Sequence, residues 1–241
     1  MQTPASTAPA PLSGISSMAT RQLLAELTAA YVARTGQAVA IESVGGVDAA
    51  KRVQAGEAVD VVILASDAIA KLVAAGHLRA DSVTHLVHSG VAVAVRAGAA
   101  LPDISSEDAV RQTVLAAPTI SYSTGPSGVA LAQLFERWGI ADQIKDRIVT
   151  APPGIPVGSL VAQGEVALGF QQLSELIHVD GITVVGPLPS AIQITTTFSA
   201  AMTTGCTRAS EVRALLDFMA SSDAEAAKRR QGMEPAHTHS Q

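Results

Sequence analysis

Three short segments rich in serine and glycine hold the residues best suited to bind a small anion. They are residues 14–17, 43–46 and 123–128, and each lies between an apolar, strand-like run and a helical pattern. The first turn of a helix has N–H groups without partners and a partial positive charge, so a turn leading into a helix attracts anions. Small side chains let a ligand approach the backbone, and serine hydroxyls are rotatable donors. Three such segments predict a small, polar, anionic ligand.

The candidate ligand-binding residues in these segments are hydroxyls and backbone amides, namely Ser16, Ser17, Gly45, Gly46, Ser127 and Gly128. Each has a simpler explanation. A serine before a helix could serve only as its cap, and Pro126 fits the start of a helix as well as a binding turn. The paired glycines allow close approach to the backbone, or they form an ordinary turn.

Four ionisable residues could add charge or proton transfer to such a site. Asp48 falls in the first turn of a predicted helix, where the dipole already favours a carboxylate; pointing into the site, it would transfer protons. Lys51 lies on the same helix face and could pair with Asp48 or with a ligand carboxylate. Arg21 lies near a helix start, where a cation is disfavoured unless it meets an anion. His88 could act as acid or base, although an isolated histidine is more often structural.

Two adjacent amides follow a predicted strand at 166–170. Gln171 and Gln172 could donate to a ligand, one pointing inward and one outward, because side chains alternate along a strand. The sequence has no Ser-His-Asp arrangement, no phosphate-binding loop with lysine and no zinc motif. Its single cysteine, Cys206, excludes an intramolecular disulfide. We therefore expect no metal and no other cofactor.

The amino-acid composition limits the kinds of partner and the cellular compartment that we expect for this protein. The chain has 241 residues, of which 48% are hydrophobic and 15% charged, with a net charge of −5. This acidic balance without basic runs argues against nucleic acid or an anionic membrane surface as partner, and no apolar stretch reaches the roughly 18 residues that span a bilayer. The Pro/Ala/Ser-rich opening looks like a processed end with a methionine added, so we expect a periplasmic protein.

Alternating elements must position these residues. Strand-like runs alternate with helical patterns of about 10–15 residues, which is typical of α/β folds with largely parallel sheets. Helices are expected at 18–35, 47–55, 67–75 and 128–138, and strands at 39–41, 59–64, 119–122 and 166–170. In open α/β sheets, ligands bind beyond the carboxyl ends of the strands. The three segments follow strands and could converge on one crevice.

The order of these segments resembles the molybdate-binding type of periplasmic solute-binding proteins, over roughly residues 12–235. The resemblance rests on residues 16–18, 44–57, 59–67, 125–128 and 164–170. It implies two α/β lobes, each a mostly parallel sheet flanked by helices and joined by two crossing strands, with the ligand in the cleft between them. Lobe one would comprise residues 12–87 plus 192–235, and lobe two 90–188, with crossings near Ser89 and Ala191. Residues 1–11 would be a flexible lead and 236–241 a polar tail. Ser66, in the third matching segment, joins the candidate ligand-binding residues.

Departures from that pattern point to a second resemblance. Molybdate binders use hydroxyls and backbone N–H groups without cations, and have a tyrosine where this chain has Gln171. A neutral cage for an oxyanion also has no need of Asp48 or Lys51. The chain is similar to the aconitate isomerases, periplasmic enzymes on the same fold. This resemblance implies an allylic 1,3-proton shift between trans- and cis-aconitate, with Asp48, Lys51 and His88 as catalytic candidates. The alternative is the binding subunit of an ABC importer, partnered by its permease, for molybdate or a small organic anion.

Overall fold

Strands and helices alternate along the chain, as the sequence predicts. The computed structural model describes residues 8–152 and 154–236; residues 1–7 of the predicted lead and 237–241 of the predicted tail lie outside them. The strands are β1 (Leu12–Ser17), β2 (Val39–Val44), β3 (Val61–Ala65), β4 (Thr84–Arg96), β5 (Ile120–Tyr122), β6 (Leu168–Gln172), β7 (Ile182–Pro187), β8 (Thr195–Met202) and β9 (Met233–Pro235). The α-helices are α1 (Arg21–Thr35), α2 (Gly46–Gln54), α3 (Ser66–Ala74), α4 (Glu107–Ala116), α5 (Pro126–Arg137), α6 (Ala141–Ile144), α7 (Val157–Ala162), α8 (Leu173–Leu176), α9 (Ala209–Ala220) and α10 (Glu225–Arg230).

The chain divides into two compact units. Unit 1 contains the residues up to Val87, Phe198–Arg230 and the chain from Pro235, and unit 2 contains His88–Thr197 and Gln231–Glu234. The chain therefore changes unit within β4, between Val87 and His88, and within β8, between Thr197 and Phe198. The sequence analysis placed these crossings near Ser89 and Ala191.

The sheet of unit 1 is mostly parallel. Strands β2, β1 and β3 run parallel in that order, and β8 lies antiparallel to β3. Ile15, Val62, Leu64 and Ala201 are buried on one face, packed against α2 and α3. Since side chains alternate along a strand, Ser17 and Ser199 lie on this same face, at the end where the apolar residues stop. Parallel packing thus places a polar margin at the carboxyl ends of β1 and β3.

The sheet of unit 2 combines parallel and antiparallel pairs. β5 and β6 are parallel, whereas β4 lies antiparallel to both β6 and β7. The core on one face joins Val93, Ile120 and Phe170 to Phe135 of α5. The opposite face is covered by α7 and α8, where Gly169 lets Val161 approach closely. Because both faces are covered, polar side chains at the strand ends are enclosed.

The first serine-rich segment is a strand and not a turn. Residues 14–17 belong to β1, where Ser16 pairs with Ser43 and Ser17 with Val44 in the parallel register. The prediction of a turn here is wrong, because small polar residues at a parallel strand end continue the ladder before the chain bends at Met18–Thr20. Beyond the strands, Ile148 forms a single parallel bridge with Ile120.

Candidate functional site

The two adjacent serines of β1 have different surroundings. Ser16 is fully buried, and its Oγ donates to the carbonyl of Ser17 at 3.0 Å and lies 2.7 Å from Ser43 Oγ. Ser17 is 8% exposed, and its Oγ is a buried polar atom without a hydrogen-bond partner. A buried hydroxyl without a partner costs free energy. Ser17 is therefore the better suited of the two to bind a polar ligand.

The paired glycines begin helix α2 beside Ser17. Gly45 is the N-cap of the helix and Gly46 is its first residue. Both have backbone dihedral angles that residues other than glycine also adopt. A Cβ on Gly46 would lie 3.8 Å from Ser17 Cβ. The N-terminus of α2, with its N–H groups and partial positive charge, thus lies next to the unpartnered hydroxyl. These two features are the arrangement in unit 1 that could bind an anion.

The charged candidates of unit 1 lie on its surface. Asp48 falls in the first turn of α2, as predicted, and both it and Lys51 are exposed. No ion pair joins Asp48 to Lys51 in the part of the chain that the structure describes, so of the two partners expected for Lys51 a ligand carboxylate stays as the prediction. Arg52, one residue on, instead bonds to Glu42 and Glu57, and both carboxyl pKa values are lowered by these hydrogen bonds.

Arg21 is the first residue of α1, where it is exposed. It lines a surface groove of about 400 Å³ between α1 and β2, whose other walls include Thr28, Ala40 and Ser43. The groove places this guanidinium on the side of the sheet that carries Ser16 and Ser43. Arg21 could therefore bind a carboxylate only of a ligand that enters this groove.

A chain of hydrogen bonds begins at Ser66, the first residue of α3. Ser66 Oγ lies 2.6 Å from Ser199 Oγ, and Ser199 Oγ lies 2.7 Å from His85 Nδ1. Ser199 is fully buried, whereas His85 is exposed. Sequence analysis named Ser66 but missed Ser199, which lies in a strand of threonines, serine and alanines with no local signal.

Unit 2 has its own serine cluster at the start of α5. Ser123 Oγ lies 3.0 Å from Ser127 Oγ, and Ser127 is buried. A Cβ on Gly128 would lie 1.5 Å from the carbonyl oxygen of Ser123, so glycine is required for the loop to close over the helix. Pro126 occupies the first helical turn, where its missing N–H costs nothing. The Ser123–Ser127 hydrogen bond and the close packing of Gly128 thus fix the loop against the start of α5.

The two glutamines at the end of β6 are both buried. Ser89 Oγ donates to Gln172 Oε1 at 2.6 Å, whereas Gln171 Oε1 has no hydrogen-bond partner. The expectation that one of them would point outward is wrong, because helices or loops cover both faces of this sheet. Ser121 Oγ, a neighbour on the Gln171 face, is also buried without a partner.

Two titratable groups of unit 2 are adjacent in sequence to these amides or to their partner: Glu175 follows Gln171 by four residues, and His88 precedes Ser89. His88 is exposed, and its Nδ1 lies 2.8 Å from Thr197 Oγ1. Glu175 of α8 is half-buried; burial raises its carboxyl pKa to about 7, and a hydrogen bond from Gln171 opposes the rise. Sequence analysis missed Glu175. The available signal was a lone carboxylate within the apolar stretch 173–177 that directly follows a strand.

The described ranges also bear on metal binding and on membrane insertion. Residues 8–152 and 154–236 hold no group of three His, Cys, Asp or Glu side chains suited to a metal ion. No helix in those ranges combines the length and the apolar character that crossing a membrane requires.

Comparison with known proteins gives concordant results. A family model for bacterial extracellular solute-binding proteins matches residues 12–234. The chain is 41% identical over 218 residues to an aconitate isomerase of a Pseudomonas species, covering 87% of this chain and 82% of that protein.

Solved structures show the same fold. The periplasmic molybdate-binding protein of Azotobacter vinelandii superimposes with a TM-score of 0.76 at 21% identity, over 92% of this chain and 98% of that one. The substrate-binding domain of a putative molybdenum ABC transporter from Clostridium difficile gives 0.75 at 15% identity, over 94% and 99%.

Proposed function

The chain belongs to the bacterial extracellular solute-binding protein family, and from that premise we propose that it interconverts trans- and cis-aconitate in the periplasm. The observation that carries this proposal is the 41% identity to an aconitate isomerase over most of both chains. The hydroxyls and helix N-termini of both units support it, since they could stabilise a carboxylate substrate.

The reaction moves one proton and one double bond. A base removes a proton from the methylene carbon of trans-aconitate, the double bond shifts, and the far carbon takes up a proton. The negative charge that develops in between is delocalised onto a carboxylate. Donors arranged beforehand around that carboxylate lower the barrier, because they stabilise the developing charge.

Unit 1 offers donors of this kind. The unpartnered hydroxyl of Ser17 and the first amides of α2, at Gly45 and Gly46, would bind one carboxylate. Ser66 lies at the start of α3, the next helix on the same face of the sheet. Lys51 of α2 is the cation proposed to hold a further carboxylate of the substrate. Arg21 lines a groove on the opposite face of the sheet, so we do not assign it to this site.

Unit 2 offers a second set of donors. Ser127 and the amide of Gly128 begin α5, and Gln171 and Gln172 end β6. Gln172 Oε1 accepts a hydrogen bond from Ser89, which orients that amide, and Gln171 donates to Glu175. Gln171 Oε1 has no partner and could accept from a hydroxyl or a protonated group of a ligand. We assign them to substrate binding, with Asp48, His88 and Glu175 as the candidates for the base.

Incubation of the purified protein with trans-aconitate tests the proposal. We expect cis-aconitate to form, resolved by NMR, and Ser17→Ala to lower the rate. Ser210→Ala, which removes an exposed hydroxyl of α9, is the matched control and should leave the rate unchanged. Absence of cis-aconitate at high protein concentration would refute the proposal.

Family membership supports one alternative, a binding subunit that delivers a small anion to an ABC permease. The two functions differ in turnover and in ligand preference. A ligand present at 100 times its Kd raises stability by about 2.7 kcal/mol, which a thermal-shift assay detects. Stabilisation by molybdate or tungstate, with none by aconitate, would favour the alternative.

A further inference from the structure

Three side chains from three separate elements of unit 1 form a continuous chain of hydrogen bonds. His85 is exposed on β4, Ser199 is fully buried on β8, and Ser66 begins α3. The heavy-atom distances are 2.7 Å from His85 Nδ1 to Ser199 Oγ and 2.6 Å from Ser199 Oγ to Ser66 Oγ. Both are at the short end of the range for hydrogen bonds.

The middle hydroxyl couples its two neighbours. A serine hydroxyl has one proton, so Ser199 donates to one neighbour while it accepts from the other. When His85 Nδ1 bears a proton, it donates to Ser199 and Ser199 donates to Ser66. When Nδ1 is bare, both hydrogen bonds reverse. The position of the proton on one exposed ring nitrogen therefore sets the direction of the hydrogen bonds that reach Ser66 at the start of a helix.

Within this series of hydrogen bonds, Ser66 lies at the polar margin of the unit 1 sheet. Ser199 is paired with Leu64, and β3 is also paired with β1. Ser66, directly after β3, and Ser17, the last residue of β1, therefore lie at the ends of adjacent strands. Ser17 Oγ is buried without a partner beside the start of α2. The chain thus connects a surface imidazole to the part of unit 1 that has an unsatisfied group for a ligand.

We propose that His85 supplies the proton that completes the isomerisation, conducted through Ser199 to Ser66. This inference rests on the proposed function. When the allylic C–H bond breaks and the double bond shifts, the far carbon takes the proton of Ser66 Oγ. Ser66 takes that of Ser199, Ser199 takes that of His85 Nδ1, and solvent reprotonates the imidazole. The proton taken by the base returns to solvent, so no oxidant or co-reactant is needed. Ser66 is then a catalytic residue, and His85 and Ser199 position and supply its proton.

Isomerisation of trans-aconitate in D₂O, followed by NMR, tests this arrangement. The proteins are the wild type, Ser199→Ala, His85→Asn and the control His178→Asn. His178 is an exposed histidine whose ring nitrogen bonds to Gln231, so it matches His85 in exposure and in having one side-chain partner. Asparagine keeps a hydrogen-bonding group near the place of Nδ1 but does not relay a proton. It therefore separates proton supply from hydrogen bonding alone.

We expect wild type and His178→Asn to place one deuterium on the new methylene carbon. Ser199→Ala and His85→Asn should lower kcat by about 100-fold or more, as for loss of general acid catalysis, with KM changed by no more than about 3-fold. Thermal stabilisation by trans-aconitate checks that each variant folds and binds. If Ser199→Ala is unstable, His85→Asn still tests the inference, because His85 is exposed and its replacement should not disturb the core. If His85→Asn keeps the wild-type kcat, or if the product contains no deuterium, this inference is refuted while the proposed function stands. If the wild type shows no turnover, the proposed function is refuted together with this inference.

Discussion

The hydroxyl of Ser16 lies 2.7 Å from that of Ser43 across the β1–β2 pair, on the face of the sheet opposite to Ser17. Ser16 also donates to the carbonyl of Ser17, so its proton is used within the fold. Ser17 Oγ, one residue on, has no partner. Of two adjacent and chemically identical side chains, one is thus hydrogen-bonded within the fold and the other has no partner, which is why we propose Ser17 and not Ser16 as the ligand-binding group.

Alanine substitutions should distinguish these two serines. Ser16→Ala removes hydrogen bonds and should lower the free energy of unfolding by about 1 kcal/mol. Ser17→Ala removes a buried hydroxyl that bonds to nothing, so stability should change little. Its affinity for aconitate should fall by about 10- to 150-fold, as expected for one hydrogen bond to a charged group. Urea denaturation and calorimetric titration measure the two effects, and the reverse pattern would contradict the assignment.

Gly128→Ala should disrupt the loop before α5. A Cβ at this position would lie 1.5 Å from the backbone oxygen of Ser123, and a backbone atom cannot move aside as a flexible side chain does. We expect a loss of at least about 2 kcal/mol of stability, together with loss of ligand binding.

Gly125→Ala is the matched control in the same loop. Its Cβ would lie 3.9 Å from Ser123 Oγ, and its backbone already has angles that alanine adopts. Thermal melts of the two variants should therefore differ clearly. Equal melting temperatures would show that the loop has another conformation in solution.

Stability should depend on pH through Glu175. Its pKa is raised from 4.5 to about 7 in the folded protein, mainly by burial. Between these values the folded state binds more protons than the unfolded state, so stability falls as pH rises from about 4.5 to 7 and then levels off. The full contribution is up to about 3 kcal/mol.

The variant Glu175→Gln isolates this contribution. Its stability relative to wild type should increase from pH 4.5 to pH 8, measured by urea denaturation at each pH. Glu165→Gln, at an exposed carboxylate of the same unit, should show no such trend. A difference between Glu175→Gln and wild type that stays constant with pH would contradict the raised pKa.

Local sequence patterns predicted most of the elements. Helix α1 was expected over 18–35 and spans Arg21–Thr35, because leucines at helical spacing need one buried face. The start of α2 after Gly45–Gly46 and that of α3 near Asp67 were likewise visible as glycine or serine before an apolar periodicity. The segment at 14–17 was misjudged, because a polar strand end and a turn have the same composition.

The sequence by itself determined the alternation of strands and helices and placed Ser17, Ser66, Ser127 and Gln172 beyond or at strand ends. Only the tertiary structure decided which of these polar atoms have partners. Ser66 and Ser199 are 133 positions apart, and Ser16 and Ser43 are 27 apart. Element type follows from the periodicity of neighbouring residues, whereas hydrogen-bond partners and burial follow from strand register and packing between distant segments. That is why Ser199 and Glu175 became candidates only when the fold brought their neighbours together.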